Sequence, residues 1–252
     1  APHRRRRRRS PARRGRRRAG EARGGSRVML LGIETAAGLV GVALADEDGP
    51  LASVWLRGDR RHAETLAPAL DHVLAQAGAS LSDVEAIAVD VGPGLFTGLR
   101  VGVATAQGLA AGLGVGIVEV TSVEVLAREA YDSGWEGPVA AVVDARRAEV
   151  FTAWWAGPGA EPEGLSRHSP PDLAEQLAGT PGTLLVGTGA HRYRELFCGA
   201  GLRVGEVREP SPRALVSVAA GRLAEGAAPV RPAAVRPVYL RDADARINWV
   251  QR

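Results

Sequence analysis

Lysine is absent from the 252 residues of this chain, so every basic side chain apart from five histidines is an arginine. The absence excludes Schiff-base chemistry and the phosphate-binding lysine of P-loop enzymes. A single cysteine, Cys198, excludes a disulfide framework and a cysteine-rich metal site. Its apolar neighbours Leu196 and Phe197 predict that this thiol is buried, with a catalytic thiol as the alternative.

Long apolar runs are also missing. No stretch reaches the roughly 18–20 residues that cross a bilayer, and the N-terminus has no apolar segment typical of a secretory signal. We therefore expect a reducing, cytoplasmic setting and no membrane partner.

Charge is distributed unevenly along the chain. Residues 1–27 carry 13 arginines and one acid, whereas the remainder has a net charge of −8. The arginine-rich segment cannot bury apolar surface, and its composition predicts disorder. It could be a nucleic-acid-binding arm, a localisation signal, or a stretch upstream of the true start, because Met29 is the only methionine. The acidic remainder is a poor match for a phosphate backbone.

The order of predicted elements favours an α/β fold with two subdomains. Three strand-like runs at 29–33, 39–44 and 51–56 predict an antiparallel meander, and strands then alternate with helices. A similar order returns after a break in composition at 134–138. We predict a duplicated α/β unit, with an N-terminal subdomain at 28–133 and a C-terminal one at 138–252.

A glycine-rich turn, Gly92-Pro93-Gly94, follows a predicted strand and precedes a predicted helix at 97–112 with Thr97 as its N-cap. Small residues recur on this helix in two stripes, the first formed by Gly98, Gly102, Ala106 and Ala110 and the second by Gly108 and Gly112. Each interior glycine costs a helix about 0.5–1 kcal/mol relative to alanine, so the stripes predict that another backbone comes very close. The turn lacks the P-loop and dinucleotide-binding patterns, which leaves anion binding there as the alternative to a tight turn.

The predicted helix at 62–77 has an apolar stripe that includes Leu66, Leu70, Val73 and Leu74. Its first residue, His62, has leucine rather than histidine four positions later, and the next histidine is too far along the helix to share an ion. We therefore expect no metal site on this helix.

Several blocks of sequence carry a resemblance to known proteins. Residues 29–36 are similar to the first phosphate-loop strand pair of the actin/hexokinase-like superfamily (ASKHA). Residues 62–66, 92–100, 143–146 and 237–241 resemble the TsaB (YeaZ) family. The resemblance implies a duplicated actin/hexokinase-like fold with two subdomains. It also implies a role in the bacterial synthesis of N6-threonylcarbamoyladenosine at position 37 of tRNA.

In that family the subunit is noncatalytic and supports TsaD, so the resemblance implies that this chain binds no cofactor. ATP and metal would be handled by TsaD and the ATPase TsaE, and tRNA would be met only through the complex. The helices at 62–77 and 97–112 would pair with those of TsaD or of a second copy. The interface residues implied are His62, Leu66, Leu70, Val73, Leu74, Gly98, Gly102 and Ala106.

The chain departs from the family pattern at Glu34, where aspartate is usual, and at Leu95, where serine is usual. Three losses bear on catalysis. They are the aspartate at Glu34, the second histidine of the metal motif of TsaD-like paralogues, whose position is Leu66, and the second phosphate loop. Asp144-Ala145-Arg146 replaces the glycine-rich second phosphate loop of active ATPases. Glu34, Thr35 and Asp144 therefore suggest a vestigial nucleotide site. Two alternatives remain at this point, namely an ATP hydrolase or metalloprotease that uses Glu34, Thr35, His62 and Asp144, and direct tRNA binding by the arginine-rich tail.

Overall fold

The computed structural model describes residues 29–57 and 62–240. The predicted disordered segment at 1–27 and Arg241 of the last resemblance block lie outside the described residues. The strands are β1 Met29–Glu34, β2 Leu39–Asp46, β3 Gly49–Arg57, β4 Val84–Asp90, β5 Gly116–Val120, β6 Val139–Arg146, β7 Glu149–Trp155, β8 Glu163–His168, β9 Leu184–Val186 and β10 Arg203–Val204. The helices are α1 His62–Ala77, α2 Phe96–Leu113, α3 Ser122–Asp132, α4 Pro170–Leu177, α5 Thr188–Arg192, α6 Arg194–Gly199 and α7 Pro212–Ala224.

The strands form two five-stranded sheets with the same pairing pattern. The first has the order β3-β2-β1-β4-β5, in which the first three strands in the chain form an antiparallel meander and β4 and β5 run parallel to β1. The second has the order β10-β9-β6-β7-β8, in which β6, β7 and β8 form an antiparallel meander and β9 and β10 run parallel to β6. The predicted duplicated α/β fold is confirmed.

Helices cover both faces of each sheet. α1 and α2 pack on the outer face of the first sheet, and α4, α5 and α6 pack on the outer face of the second. α3 and α7 lie between the sheets, with α7 against β1 and β2 and α3 against β6. α7 packs tightly because β1 and β2 present Gly32 and Gly41, where a Cβ would overlap Val216 and Pro212. The predicted division between residues 133 and 138 stays a prediction.

The C-terminal segment returns to the first half. Val230 exchanges two backbone hydrogen bonds with Ile117 of β5, at 2.8 and 2.9 Å, so β5 is paired on both sides at that point. Further along, the amide of Val238 donates to the carbonyl of Val91 at 2.7 Å. Val235 is fully buried against α2. The turn after β4 is therefore held from outside by the end of the described chain.

Local predictions were wrong at three places. β8 lies in the Gly/Pro-rich stretch at 156–170, whose composition predicts a loop, because its residues are mostly exposed and lack alternating apolar positions. α2 begins at Phe96 with Leu95 as N-cap, so Thr97 lies inside the first turn and does not cap it. Cys198 is exposed rather than buried, since its neighbour Phe197 occupies the core position of α6. Within residues 29–57 and 62–240 we find no helix that is both long and apolar enough to span a membrane.

Candidate functional site: a buried carboxyl pair, an outer helix face and an arginine-lined cleft

Two carboxyl groups meet in the interior at the ends of neighbouring parallel strands. Glu34 ends β1 and Asp90 ends β4, and both side chains are excluded from solvent. One oxygen of each closes its own turn: Glu34 Oε1 accepts from the amide of Ala36 at 2.8 Å, and Asp90 Oδ1 accepts from the amide of Gly92 at 2.7 Å. Asp90 Oδ1 also accepts from the hydroxyl of Ser122 at 2.8 Å. These bonds fix the direction in which the chain leaves each strand.

The remaining oxygens, Glu34 Oε2 and Asp90 Oδ2, have no other partner among the described residues. A proton on Glu34 would satisfy both, because the protonated group would then donate to the Asp90 carboxylate. Burial, followed by the Asp90 charge, raises the pKa of Glu34 well above its usual value. Burial also raises the pKa of Asp90 to about 6, although its hydrogen bonds oppose the shift. Glu34 is therefore a buried acid that is hydrogen-bonded within the chain.

Thr35 is also used inside the chain. Its hydroxyl donates to the carbonyl of Gly98 at 2.9 Å, and the side chain is fully buried. A Cβ at Gly102, one turn further along α2, would overlap Thr35 Oγ1. The close approach predicted for the first small-residue stripe is therefore a contact between α2 and the end of β1. The predicted vestigial nucleotide contacts of Glu34 and Thr35 need correction, since neither side chain reaches the surface.

The apolar residues predicted to meet a partner lie instead in the chain's own core. Leu66, Leu70, Val73 and Leu74 of α1 are at most 8% exposed and pack against the first sheet. The same correction applies on α2 to three buried residues, Gly98, Gly102 and Ala106. The side chain of His62 lies outside the described residues. A partner surface on these helices has to be formed by their outward-facing residues.

Beyond the first turn of α2 the outward-facing residues are small, and they include Ala104, Gly108, Ala111 and Gly112. The exposed face of α1 is mixed. It has alanines at positions 63, 67 and 75 beside larger or charged residues, which are Glu64, Pro68, Asp71, His72 and Gln76. A Cβ at Gly108 or Gly112 would meet nothing within 4 Å. The second stripe of the sequence pattern therefore faces open space. Nothing in the described part of the chain accounts for glycine there.

A cleft of about 590 Å³ opens between the two halves. One wall is formed by the turns after β1 and β4, including Ala36 and Pro93. The other carries Asp144 with four arginines, which are Arg146, Arg192, Arg194 and Arg208. Asp144 is the predicted site residue that does reach this cleft. Burial, and then the nearby Arg194 and Arg208 charges, lower the pKa of His191 on the same wall.

The turn between β6 and β7 forms the rim of this wall and has an unusual backbone. Arg146, Arg147 and Ala148 have φ angles of 64°, 51° and 57°, in the left-handed region that favours glycine. Such residues cost roughly 1–2 kcal/mol each. Part of the turn is held by Asp144, whose Oδ1 accepts from the amide of Arg146 at 3.1 Å and whose own amide donates to Thr188 Oγ1 at 3.0 Å.

Residues that could ligate a metal are dispersed. Within residues 29–57 and 62–240 we find no group of three histidine, cysteine, aspartate or glutamate side chains placed to hold a metal ion. Position 66, one helical turn after His62, is a buried leucine. In the turns after β1 and β4, Glu34 and Asp90 each use one carboxylate oxygen in the internal hydrogen bonds described above.

Comparisons with known proteins match TsaD over part of the chain and TsaB over most of it. Residues 57–155 match the family model described as TsaD, tRNA N6-adenosine threonylcarbamoyltransferase. The chain is 32% identical over 223 residues to the tRNA threonylcarbamoyladenosine biosynthesis protein TsaB of Escherichia coli, with 84% of this chain and 94% of that protein covered. It is 28% identical to the TsaB of Bacillus subtilis, with 88% and 98% covered.

Solved structures give the same result. YeaZ from Pseudomonas aeruginosa superposes with a TM-score of 0.74 at 30% identity, covering 84% of this chain and all of that one. A second Pseudomonas aeruginosa structure, described as similar to peptidase YeaZ, reaches a TM-score of 0.76 at 32% identity, with 85% and 100% covered. At this identity and coverage the chain belongs to the TsaB family, also called YeaZ.

Proposed function

We propose that this chain is a noncatalytic subunit of the machinery that forms N6-threonylcarbamoyladenosine at position 37 of tRNA. In this proposal it holds TsaD in a competent conformation. ATP and metal are bound by TsaD and TsaE rather than by this subunit, and tRNA is met only through the complex in the cytoplasm. The observation that carries the proposal is the full-length similarity to proteins named TsaB.

The absence of a transfer activity of its own is supported by the two turns at the ends of β1 and β4. Transfer chemistry needs polar groups that reach the substrate. Glu34 and Thr35 are buried and hydrogen-bonded within the chain, so neither is available for this. The β6–β7 turn has arginines where a glycine-rich phosphate loop would expose backbone amides.

The assignment of TsaD as partner is supported by the outer face of α1 and α2. Small residues on a helix let another helix come close, with interaxial distances at the short end of the usual 8–10 Å. Gly108 and Gly112 are open on this face, and alanines surround them. A glycine that costs helix stability, where an added Cβ would meet nothing within 4 Å among the described residues, fits a surface selected for close helix contact.

The test is a reconstitution of tRNA threonylcarbamoylation from purified TsaC, TsaD and TsaE, with and without this protein. We expect modification to require it, and we expect the protein alone to hydrolyse neither ATP nor peptide. A matched reaction with a chain that begins at Met29 tests whether residues 1–28 contribute. Modification by the other three proteins without this one would overturn the proposal. ATP or peptide hydrolysis by the isolated chain would favour the enzyme alternative.

A further inference from the structure

Two exposed aromatic side chains meet at the start of α2. Phe96, the first residue of α2, and Tyr239, near the end of the described chain, are each 47% exposed, more than any other large apolar side chain in the described part. Their ring centroids lie 5.2 Å apart with the ring planes tilted by 40°, a separation typical of favourable aromatic pairs. Nearly half of each ring is therefore left for contact with another molecule.

Arg100 joins the two rings in a group of three side chains, which we call the aromatic–arginine cluster. The guanidinium carbon of Arg100 lies 3.8 Å from the centroid of the Phe96 ring, and Arg100 Nε donates to the hydroxyl of Tyr239 at 3.2 Å. Arg100 forms no ion pair with a carboxylate among the described residues. The cluster therefore holds a positive charge in a defined position, and no acid in the described part of the chain neutralises it.

Tyr239 is brought to α2 by residues 230–240, which we call the C-terminal strap. The side-chain amide of Gln107 on α2 donates to two carbonyl oxygens of the strap, those of Pro232 at 2.9 Å and Val235 at 3.2 Å. Side-chain amides of α2 thus bind the backbone of the strap directly. The strap is fixed against the helix before it reaches the cluster.

The strap lies along one border of the open face of α2. Phe96, Arg100 and Gln107 share one stripe of the helix, because positions four and seven apart lie on the same face. The residues four positions after Arg100 and Gln107 are Ala104 and Ala111, which belong to the outward-facing small residues. The aromatic–arginine cluster therefore stands at the N-terminal end of the small-residue face, and the strap stands beside it.

From these observations we propose that the aromatic–arginine cluster anchors TsaD on this subunit and that the C-terminal strap forms part of the interface. The inference rests on the proposed function, which supplies TsaD as the partner, and it adds the side chains that dominate the contact. Tyrosine and arginine are enriched among the few residues that carry most of the binding energy of protein interfaces. The charge of Arg100, on a body with a net charge of −8, fits an acidic side chain of TsaD. A TsaD helix on the small-residue face would be held at one end by the cluster.

The test is titration calorimetry of the full chain with TsaD. Arg100→Gln removes the charge, and Phe96→Ala removes the ring against which the guanidinium group packs. Each variant should weaken binding at least tenfold. Arg100→Gln should also reduce the dependence of the affinity on salt, because salt screens a charge pair in an interface. The urea midpoint of each variant checks that the fold is intact.

Arg203→Gln is the matched control. Arg203 is an exposed arginine of β10 whose guanidinium carbon lies 4.9 Å from the centroid of the Trp135 ring, so this variant removes an arginine–aromatic contact elsewhere. It should bind TsaD within twofold of the unmodified chain. The inference is overturned if Arg100→Gln and Phe96→Ala bind as tightly as the unmodified chain, or if Arg203→Gln weakens binding equally. Those results would leave the proposed function in place, whereas failure of the unmodified chain to bind TsaD would remove both.

A second measurement needs no variant. Addition of TsaD to the unmodified chain should slow hydrogen–deuterium exchange of the amides at 96–104 and 236–240. Protection of α2 without the strap would remove the strap from the interface, and protection confined to other regions would overturn the whole inference.

Discussion

Burial and the neighbouring charge of Asp90 raise the pKa of Glu34 well above its usual value in the solvent-excluded interior of the first half. The pair connects the ends of β1 and β4, because each residue also accepts from the amide two positions later. Protonation of this pair is therefore linked to two strand ends and the two turns that follow them.

This pair makes stability dependent on pH. Both folded-state pKa values lie above those of the unfolded chain, so folding retains protons, and the stabilisation present at low pH is lost as the pH rises. For Asp90 the window runs from about pH 4 to about 6, and Glu34 extends it to higher pH. The slope is about 1.4 kcal/mol per pH unit for each proton. Urea unfolding from pH 5 to 8 measures it.

Glu34→Gln separates this linkage from simple packing. The glutamine amide can donate to Asp90 and its oxygen can accept from Ala36, with no proton to lose. We expect the free energy of unfolding of the variant to depend less on pH between 5 and 8. The variant should therefore gain stability relative to the unmodified chain as the pH rises. Glu64→Gln, an exposed change on α1, is the control. Parallel pH profiles for Glu34→Gln and the unmodified chain would contradict the shared proton.

Gly102→Ala should destabilise the fold although alanine favours helices. The added Cβ overlaps Thr35 Oγ1, and overpacking of a tight site costs about 1–3 kcal/mol. The gain in helix propensity, about 1 kcal/mol at most, offsets only part of this. Gly108→Ala on the open side of the same helix should stabilise by up to about 1 kcal/mol. The urea midpoints of both variants are compared with that of the unmodified chain. A higher midpoint in both variants would refute the tight contact between Gly102 and Thr35.

Gly108→Leu should leave the fold intact and weaken association with TsaD at least tenfold. The side chain enters open space in the isolated chain but would separate two closely packed helices. Gly221→Leu makes the same change on α7, where a Cβ also meets nothing within 4 Å. Titration calorimetry with TsaD measures both. Equal affinities for the two variants would remove the outer face of α2 from the interface.

Ala148→Gly should stabilise the chain by about 1 kcal/mol. Glycine relieves a left-handed conformation that costs alanine roughly 1–2 kcal/mol, and its greater freedom in the unfolded state cancels part of the gain. Ala145→Gly in the extended part of the same hairpin should destabilise instead. The midpoints of thermal unfolding of the two variants and of the unmodified chain test this. A midpoint for Ala148→Gly below that of the unmodified chain would contradict the strain in the turn.

The sequence predicted the elements well because their patterns are local. The apolar stripe of α1 and the Thr121–Glu124 capping box of α3 each depend on residues within one or two turns. The position of α7 against the first sheet depends on Gly32 and Gly41, which are distant in sequence and have no periodic signature. No local pattern could have shown it.

The candidate sites were harder to predict for the same reason. A stripe of small residues indicates close contact but does not say with what. The sequence gives no means of assigning the first stripe of α2 to Thr35 and leaving the second open. The four arginines of the cleft are separated by up to 62 positions, and only the fold brings them to one wall.

The placement of α7 has a consequence for how the protein is made. β1 and β2 leave the ribosome first, but the helix that covers their inner face ends at Ala224, and Val230 pairs with β5 later still. During synthesis one apolar face of the first sheet therefore stays uncovered until nearly the whole chain has emerged from the ribosome. A chain truncated before α7 would leave Leu30, Ala43 and Ala88 uncovered and would be a substrate for chaperones and proteases rather than a smaller working domain.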